Sequence, residues 1–243
     1  MTSRDRADRL LVARGLFESR ARAQAAIAAG RVSADGAVVH KASEEISSTA
    51  VITAEPEHPY VSRGGVKLAA ALDHFSLDIA GRVCLDVGAS TGGFTQVLLE
   101  RGAQRVYAVD VGRGQLHAKL RRHERILSIE QTDIRKLDPA RLPAPADFGV
   151  VDVSFISLKL VLPYLDRLTS PHAAILALIK PQFEADRRDI KKGIVRDAGV
   201  HTAICDDIAA FMTTLGWRPG RLMESPIFGS DGNREFFIEA ARG

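Results

Sequence analysis

Five short apolar runs between residues 82 and 180 constrain this 243-residue chain more than anything else in it. They are RVCLDV at 82–87, RVYAVD at 105–110, ILSIEQ at 126–131, FGVVDV at 148–153 and AAILALIK at 173–180. Each has the length of a strand. Each is apolar at nearly every position rather than at alternate ones, so both faces of the strand must be covered. Helical patterns occupy 93–101, 113–122, 157–169 and 198–215. Strands alternating with helices imply an α/β fold with a doubly wound, mostly parallel sheet. Two further strands are expected around 217–224 and 234–240, joined only by SPIFGSDGNR. A loop without a crossover helix makes that pair an antiparallel hairpin, so the sheet ends on an antiparallel strand.

The first 55 residues follow a different pattern. RADRLLVARGLF places Leu10, Leu11, Ala13 and Leu16 on one helical face, with Gly15 near its end. Ser19 is an N-cap candidate for ARAQAAIAAG, which stops at Gly30. RVSADGAVVH reads as two short strands turning at Asp35-Gly36, and AVITAEP supplies a third. This is a small α+β module. The net charge of the chain is only +3, but residues 1–41 hold eight Lys or Arg against four acids, and residues 42–60 hold acids alone. Uneven basic charge points to a polyanion partner, with Arg6, Arg20, Arg22 and Lys41 as candidate contacts to its phosphates. The division is therefore 1–55 for this module, 56–62 for a linker with two prolines, and 63–243 for the α/β domain.

The first apolar run leads into DVGASTGGF and then a helix. Glycines at such a turn allow the backbone to approach a ligand closely. The turn lacks the spacing of a dinucleotide fingerprint and the Gly-Lys-Ser/Thr of a phosphate loop. It suits S-adenosylmethionine, whose methionine end offers an ammonium and a carboxylate. Asp86 is placed to pair with the ammonium or to orient the turn. Backbone amides from Gly88 through Ser90, Thr91, Gly92, Gly93 and Phe94 can hold the carboxylate at a helix N-terminus. Asp110 ends the second run, where an acid can accept from ribose hydroxyls, and Asp133 follows the third, where one can accept from an adenine amino group.

Asp152 closes the fourth run and Lys180 the fifth, at the carboxyl ends where parallel sheets place ligands. Lys67 enters from the first turn of a helix starting near Gly65, and Glu235 begins the last strand. Together these four resemble the Lys-Asp-Lys-Glu tetrad of enzymes that methylate a ribose 2′-hydroxyl, a poor nucleophile whose methylation requires in-line geometry and removal of its proton. Lys180 is the candidate general base, with burial and a second cation, Lys67, favouring its neutral form and the two carboxylates orienting it. No metal is required. Phe155 lies just past Asp152, where it can stack on an extruded base or pack beneath a helix at 157–169; Arg187 lies where it can meet phosphate.

Lys67, GASTGGF, DVSFIS, LIKPQFE and GNREFF together resemble the TlyA, or haemolysin A-like, family across almost the whole chain. The N-terminal module resembles the S-four-type RNA-binding domain of ribosomal proteins. The resemblance implies a Rossmann-like, FtsJ-like methyltransferase sheet that uses S-adenosylmethionine to methylate cytidine 2′-hydroxyls in ribosomal RNA of the small subunit, the large subunit or both. Lys67, Asp152, Lys180 and Glu235 correspond to a Lys-Asp-Lys-Glu catalytic tetrad. The implied partners are ribosomal RNA or ribosomal subunits, with no membrane and no obligate protein partner evident.

Other classes fit less well. DVSF lacks the prolines of an exocyclic-amine methyltransferase, and neither Cys84 nor Cys205 is placed as the nucleophile of a cytosine C5 enzyme. With two cysteines and no CxxC, no disulfide framework or zinc site is expected. A catalytically weak RNA-binding assembly factor is the main alternative; a membrane-lytic haemolysin is disfavoured by the lack of a signal peptide or long apolar segment. The cytoplasm is the expected compartment.

Overall fold

The computed structural model describes residues 3–229 and 231–242, in two compact units, Met1–Pro59 and Tyr60–Gly243. In the first, β1 (Arg4–Arg6) pairs antiparallel with β4 (Glu45–Ser47). Helices α1 (Ala7–Ala13) and α2 (Arg20–Ala28) lie between them in sequence, followed by β2 (Val32–Ala34) and β3 (Ala37–Val38). After β4, strand β5 (Ile52–Ala54) joins β2 and β3 in a second small sheet. The core is Leu10, Leu11 and Phe17 against Ala23, Ala26 and Ile27, closed by Val32, Val39 and Ile46. The Ser19 hydroxyl accepts from the Arg22 amide as the N-cap. Asp35 and Gly36 have φ of 49° and 83°, the left-handed pair that a two-residue hairpin needs.

The second unit opens with α3 (Arg63–Phe75), whose Leu68, Leu72 and Phe75 are buried. Burying each contributes roughly 2 kcal/mol. Then follow β6 (Val83–Val87), α4 (Gly93–Glu100), β7 (Arg105–Val109), α5 (Ala118–Arg121), β8 (Ile126–Ile129), β9 (Ala146–Val151) and β10 (Thr169–Ile179). Next come α6 (Pro181–Glu184), β11 (Ile190–Lys191), β12 (Ile194–Val195), α7 (Ala198–Thr214), β13 (Arg218–Glu224) and β14 (Phe236–Ala241). The main sheet runs β13-β14-β10-β9-β6-β7-β8. From β10 to β8 the pairings are parallel; β14 is antiparallel to both β10 and β13. Side chains of each strand enter two cores. Cys84, Phe148, Leu176 and Leu178 face α3 and α4, while Leu85, Tyr107, Ile175 and Ile179 face the layer that includes α7 and Trp217. Burial pushes the thiols of Cys84 and Cys205 up, to about 12 and about 11, so both sit as protonated apolar fillers.

Two expected helices do not form at full length. Residues 157–169 are broken into three 3₁₀ turns. Pro163 sits in their middle, where it has no amide to donate and its ring would collide with the Lys159 carbonyl of a continuous helix. Within 113–122 only α5 is helical, because the Glu130 carboxylate takes the amides of Gly114 and Leu116 and holds that segment as a loop.

Candidate active site

The carboxyl end of the sheet is built around Gly88. Its φ is +85°, and a Cβ there would lie 2.2 Å from the Asp152 carbonyl oxygen, so the turn after β6 can pass the end of β9 only as glycine. Gly93 is needed for a similar reason: a Cβ would meet the Ser62 hydroxyl at 2.2 Å, because the start of α3 rests on the start of α4. Gly92 faces Leu116 and Leu120 rather than the site. These glycines therefore serve close packing of the chain on itself as well as openness to a ligand, which was the only use expected of them.

Two adjoining hollows open beside this turn. The first, about 460 Å³, is walled by Val87, Val109, Val111, Ile134, Val153 and Ile156, with the carboxylates of Asp110 and Asp133 among its polar groups. The second, about 450 Å³, is walled by Ser62, Arg63 and Gly64 of the α3 end, by Ala89, Thr91, Gly93 and Phe94 of the turn, and by Lys67, Lys180 and Glu235. Gly88, Ser90, Asp152 and Ser154 line both. Asp110 accepts from the amides of Ser90 at 2.8 Å and Gly112 at 2.7 Å. A carboxylate has about four lone-pair sites, so room remains for two hydroxyl donors. Asp133 caps a 3₁₀ turn and is gripped by the Arg135 guanidinium, which holds it below the usual carboxylate range. Asp86 is fully buried beneath the turn and lines neither hollow. It accepts from the Thr95 hydroxyl at 2.5 Å. Burial pushes its carboxyl up to about 7 and the negative charges of Asp152 and Asp110 add to this, while Thr95 opposes it. Its geometry is that of a residue orienting the turn.

Lys67, Asp152, Lys180 and Glu235 meet in the second hollow as two ion pairs. The register explains how. Ile179 of β10 pairs with Phe236 of β14, so Lys180 and Glu235 leave the same end of adjacent antiparallel strands. Asp152 leaves that end of β9, the parallel neighbour of β10. Lys67, one turn into α3, donates to Glu235 at 2.5 Å with both side chains buried. The Lys180 ammonium lies 2.5 Å from Asp152 Oδ1 and donates to the Ser154 hydroxyl at 2.9 Å. Each ammonium thus faces one carboxylate, whereas the expectation has Lys67 and both carboxylates acting together on Lys180. Nothing in DVSFIS marks Ser154 as the partner of Lys180. Nor does the sequence mark Gly229, where a Cβ would lie 2.4 Å from Glu235 Oε1.

Phe155 is not packed under a helix. It is 91% exposed, at φ +64°, with its ring centroid 5.1 Å from that of Phe183. The segment is tethered by Glu184, which accepts from the Ser157 hydroxyl at 2.5 Å and the Leu158 amide at 2.8 Å. Arg187 is exposed, beyond α6. In the first unit, Arg6 and Arg20 both reach the fully buried Asp8, joined by Gln24. The guanidinium of Arg6 does most to hold the Asp8 carboxyl far below its usual range, with Arg20 and Gln24 adding to it against burial. Arg22 is half-buried, and Lys41 is exposed.

A sequence model of the FtsJ-like methyltransferase family matches residues 60–242, and one of the S4 domain matches residues 5–52. The chain is 43% identical to the 16S/23S rRNA (cytidine-2′-O)-methyltransferase TlyA of Mycobacterium tuberculosis, over 98% of this chain and 90% of that one. The chain belongs to the TlyA family of FtsJ-like methyltransferases. A second member of this family, YqxC of Bacillus subtilis, is 44% identical over 98% of this chain and 86% of its own length. A solved structure from Streptococcus thermophilus that carries a hemolysin name is 40% identical, superimposes with a TM-score of 0.78 and covers 100% of this chain and 90% of its own. As in the family, the methyl donor is S-adenosylmethionine, and the groups lining the first hollow fit it: apolar walls for a base and carboxylates for hydroxyl and amino donors. Among the described residues no helix is long and apolar enough to cross a membrane.

Proposed function

We propose that this protein methylates the ribose 2′-hydroxyl of a cytidine in ribosomal RNA, in the cytoplasm, with Lys180 as the general base. The observation that carries the proposal is the meeting of the Lys67–Glu235 and Lys180–Asp152 pairs in one hollow that shares a wall with the Asp110–Asp133 cleft. S-adenosylmethionine, when bound, supplies an electrophilic methyl group on a sulfonium. Asp110 and Asp133 would hold its nucleoside, and the Gly88–Phe94 turn, oriented by Asp86, would hold its methionine end. Lys180 would orient the ribose hydroxyl and, in its neutral form, accept its proton, while the bound donor would supply the methyl group and leave as a neutral thioether. Asp152 and Ser154 aim the Lys180 amine. Glu235 fixes Lys67, whose ammonium stabilises negative charge developing on the ribose oxygen. Phe155, beside Phe183, offers an exposed ring for the displaced base, and Arg6, Arg20, Arg22, Lys41 and Arg187 meet RNA phosphates. The M. tuberculosis relative's name is the support for cytidine and for ribosomal RNA. The test is to incubate the protein with labelled S-adenosylmethionine and purified ribosomal subunits, then digest the RNA to nucleosides. Label in 2′-O-methylcytidine supports the proposal; label on a base refutes it.

A further inference from the structure

Beyond the catalytic hollow, residues 186–196, DRRDIKKGIVR, hold five basic side chains against two acidic ones. That net charge equals the formal net charge of the entire chain. Their backbone is a tight hairpin. Strands β11 and β12 pair through Ile190–Val195 and Lys191–Ile194, and Lys192 and Gly193 close the turn at φ 52° and 78°. A short hairpin on a surface is marginal by itself. This one is pinned from below by two buried polar side chains. Asn233, fully buried, accepts from the Val195 amide at 3.0 Å and donates to the Gly193 carbonyl at 2.9 Å. His201, also buried, donates through Nε2 to the Val195 carbonyl at 3.0 Å and rests its ring on Phe236.

The anchors connect the hairpin to the catalytic groups. Asn233 lies two residues before Glu235, and α6, which begins directly after Lys180, packs on β12. The cations themselves are uncommitted. Arg188 is paired with Asp186 and Asp189, but Arg187, Lys191, Lys192 and Arg196 are exposed and their side chains make no hydrogen bond or ion pair among the described residues. Asp197, next to Arg196 in sequence, is occupied as the N-cap of α7. Clustering four exposed cations on a backbone fixed by two buried side chains concentrates positive potential at one place on the surface, which attracts a polyanion. We infer that the β11–β12 hairpin is a rigid phosphate-binding arm that grips the RNA backbone next to the target nucleotide, with Lys191, Lys192 and Arg196 as its contacts and Asn233 and His201 as positioning residues. The inference rests on the RNA-methyltransferase reading and extends it to an element outside the reacting groups.

The experiment uses the full chain with S-adenosylhomocysteine and purified ribosomal subunits, so binding is read without turnover. Lys191→Gln/Lys192→Gln should lower affinity roughly tenfold near 0.1 M salt and reduce the slope of log K against log salt by roughly 1.5–2. Affinity for S-adenosylhomocysteine by calorimetry should not change, nor should kcat at saturating RNA in a separate assay with S-adenosylmethionine. Asn233→Ala, which alters no charge, should weaken RNA binding to a similar degree with cofactor affinity retained. An unchanged salt slope and affinity in the lysine variant overturns the arm, as does a variant that keeps RNA affinity but loses binding to anionic phosphatidylglycerol vesicles. If the wild-type protein binds RNA through these lysines yet transfers no methyl group, the methyltransferase reading fails and the arm stands; if it binds no RNA, both fail.

Discussion

A lysine that takes a proton and a lysine that only positions a hydroxyl make the same contacts, so substitution must separate them. Lys180→Ala should leave S-adenosylmethionine binding near the wild-type value and slow methyl transfer by roughly two to four orders of magnitude. Lys180→Arg should be equally slow, because a guanidinium stays charged; rapid turnover by that variant would assign the proton to another acceptor. Asp86 makes a separate prediction. Burial pushes its carboxyl up to about 7, from 3.8 in the unfolded chain. The folded state therefore holds the proton more tightly, and the stability this gives is complete below about 4 and lost as pH rises through about 7. Relative to Asp86→Asn, the wild-type protein should lose at most about 4 kcal/mol over that interval; urea unfolding at a series of pH values measures it, and parallel curves for the two proteins would remove the assignment. Residue types at strand ends picked out Asp152, Lys180 and Glu235 in the sequence, and Lys67 stood out in the first turn of a helix. Which lysine faces which carboxylate was not legible, because it depends on where α3 lies beside β14.

At the scale of elements, the apolar runs announced every strand from β6 to β10, and Asp35-Gly36 announced the β2–β3 hairpin, since both signals are local. The failures lay where a local pattern competes with something it does not contain. Leu158, Leu162 and Leu165 are buried as a helix face would be, yet Pro163 forbids the helix. Gly114 to Leu116 stay a loop because Glu130, a strand away, takes their amides. The turn after β6 gives a test at this scale. Gly88→Ala adds a methyl 2.2 Å from the Asp152 carbonyl in a left-handed conformation. It should cost about 3 kcal/mol or more and weaken S-adenosylmethionine binding, as seen by denaturation and calorimetry. A fully stable variant would mean that the turn and the end of β9 are free to separate.

Across the whole molecule, charge is distributed in a way that net charge conceals. Arg6 and Arg20 are half committed to Asp8, so reversing either would disturb the first unit's fold along with any RNA contact. Lys41 is exposed, and no ion pair among the described residues involves it, so it is the cleaner probe. Lys41→Glu should weaken binding to ribosomal subunits and lower the salt slope by about 1 with thermal stability unchanged; loss of stability without loss of slope would make it a structural residue. The small first unit was legible because its helix stops, cap and hairpin are short-range signals. The ion-pair hub at Asp8 was not, since a lone acid in an apolar helix does not reveal its partners. The central claim is tested most directly by mapping ribose methylation in ribosomal RNA from cells lacking this gene, complemented with the wild-type protein or with Lys180→Ala. The wild-type protein should restore 2′-O-methylation at a cytidine that the variant leaves bare. Identical maps from the two strains would contradict the account.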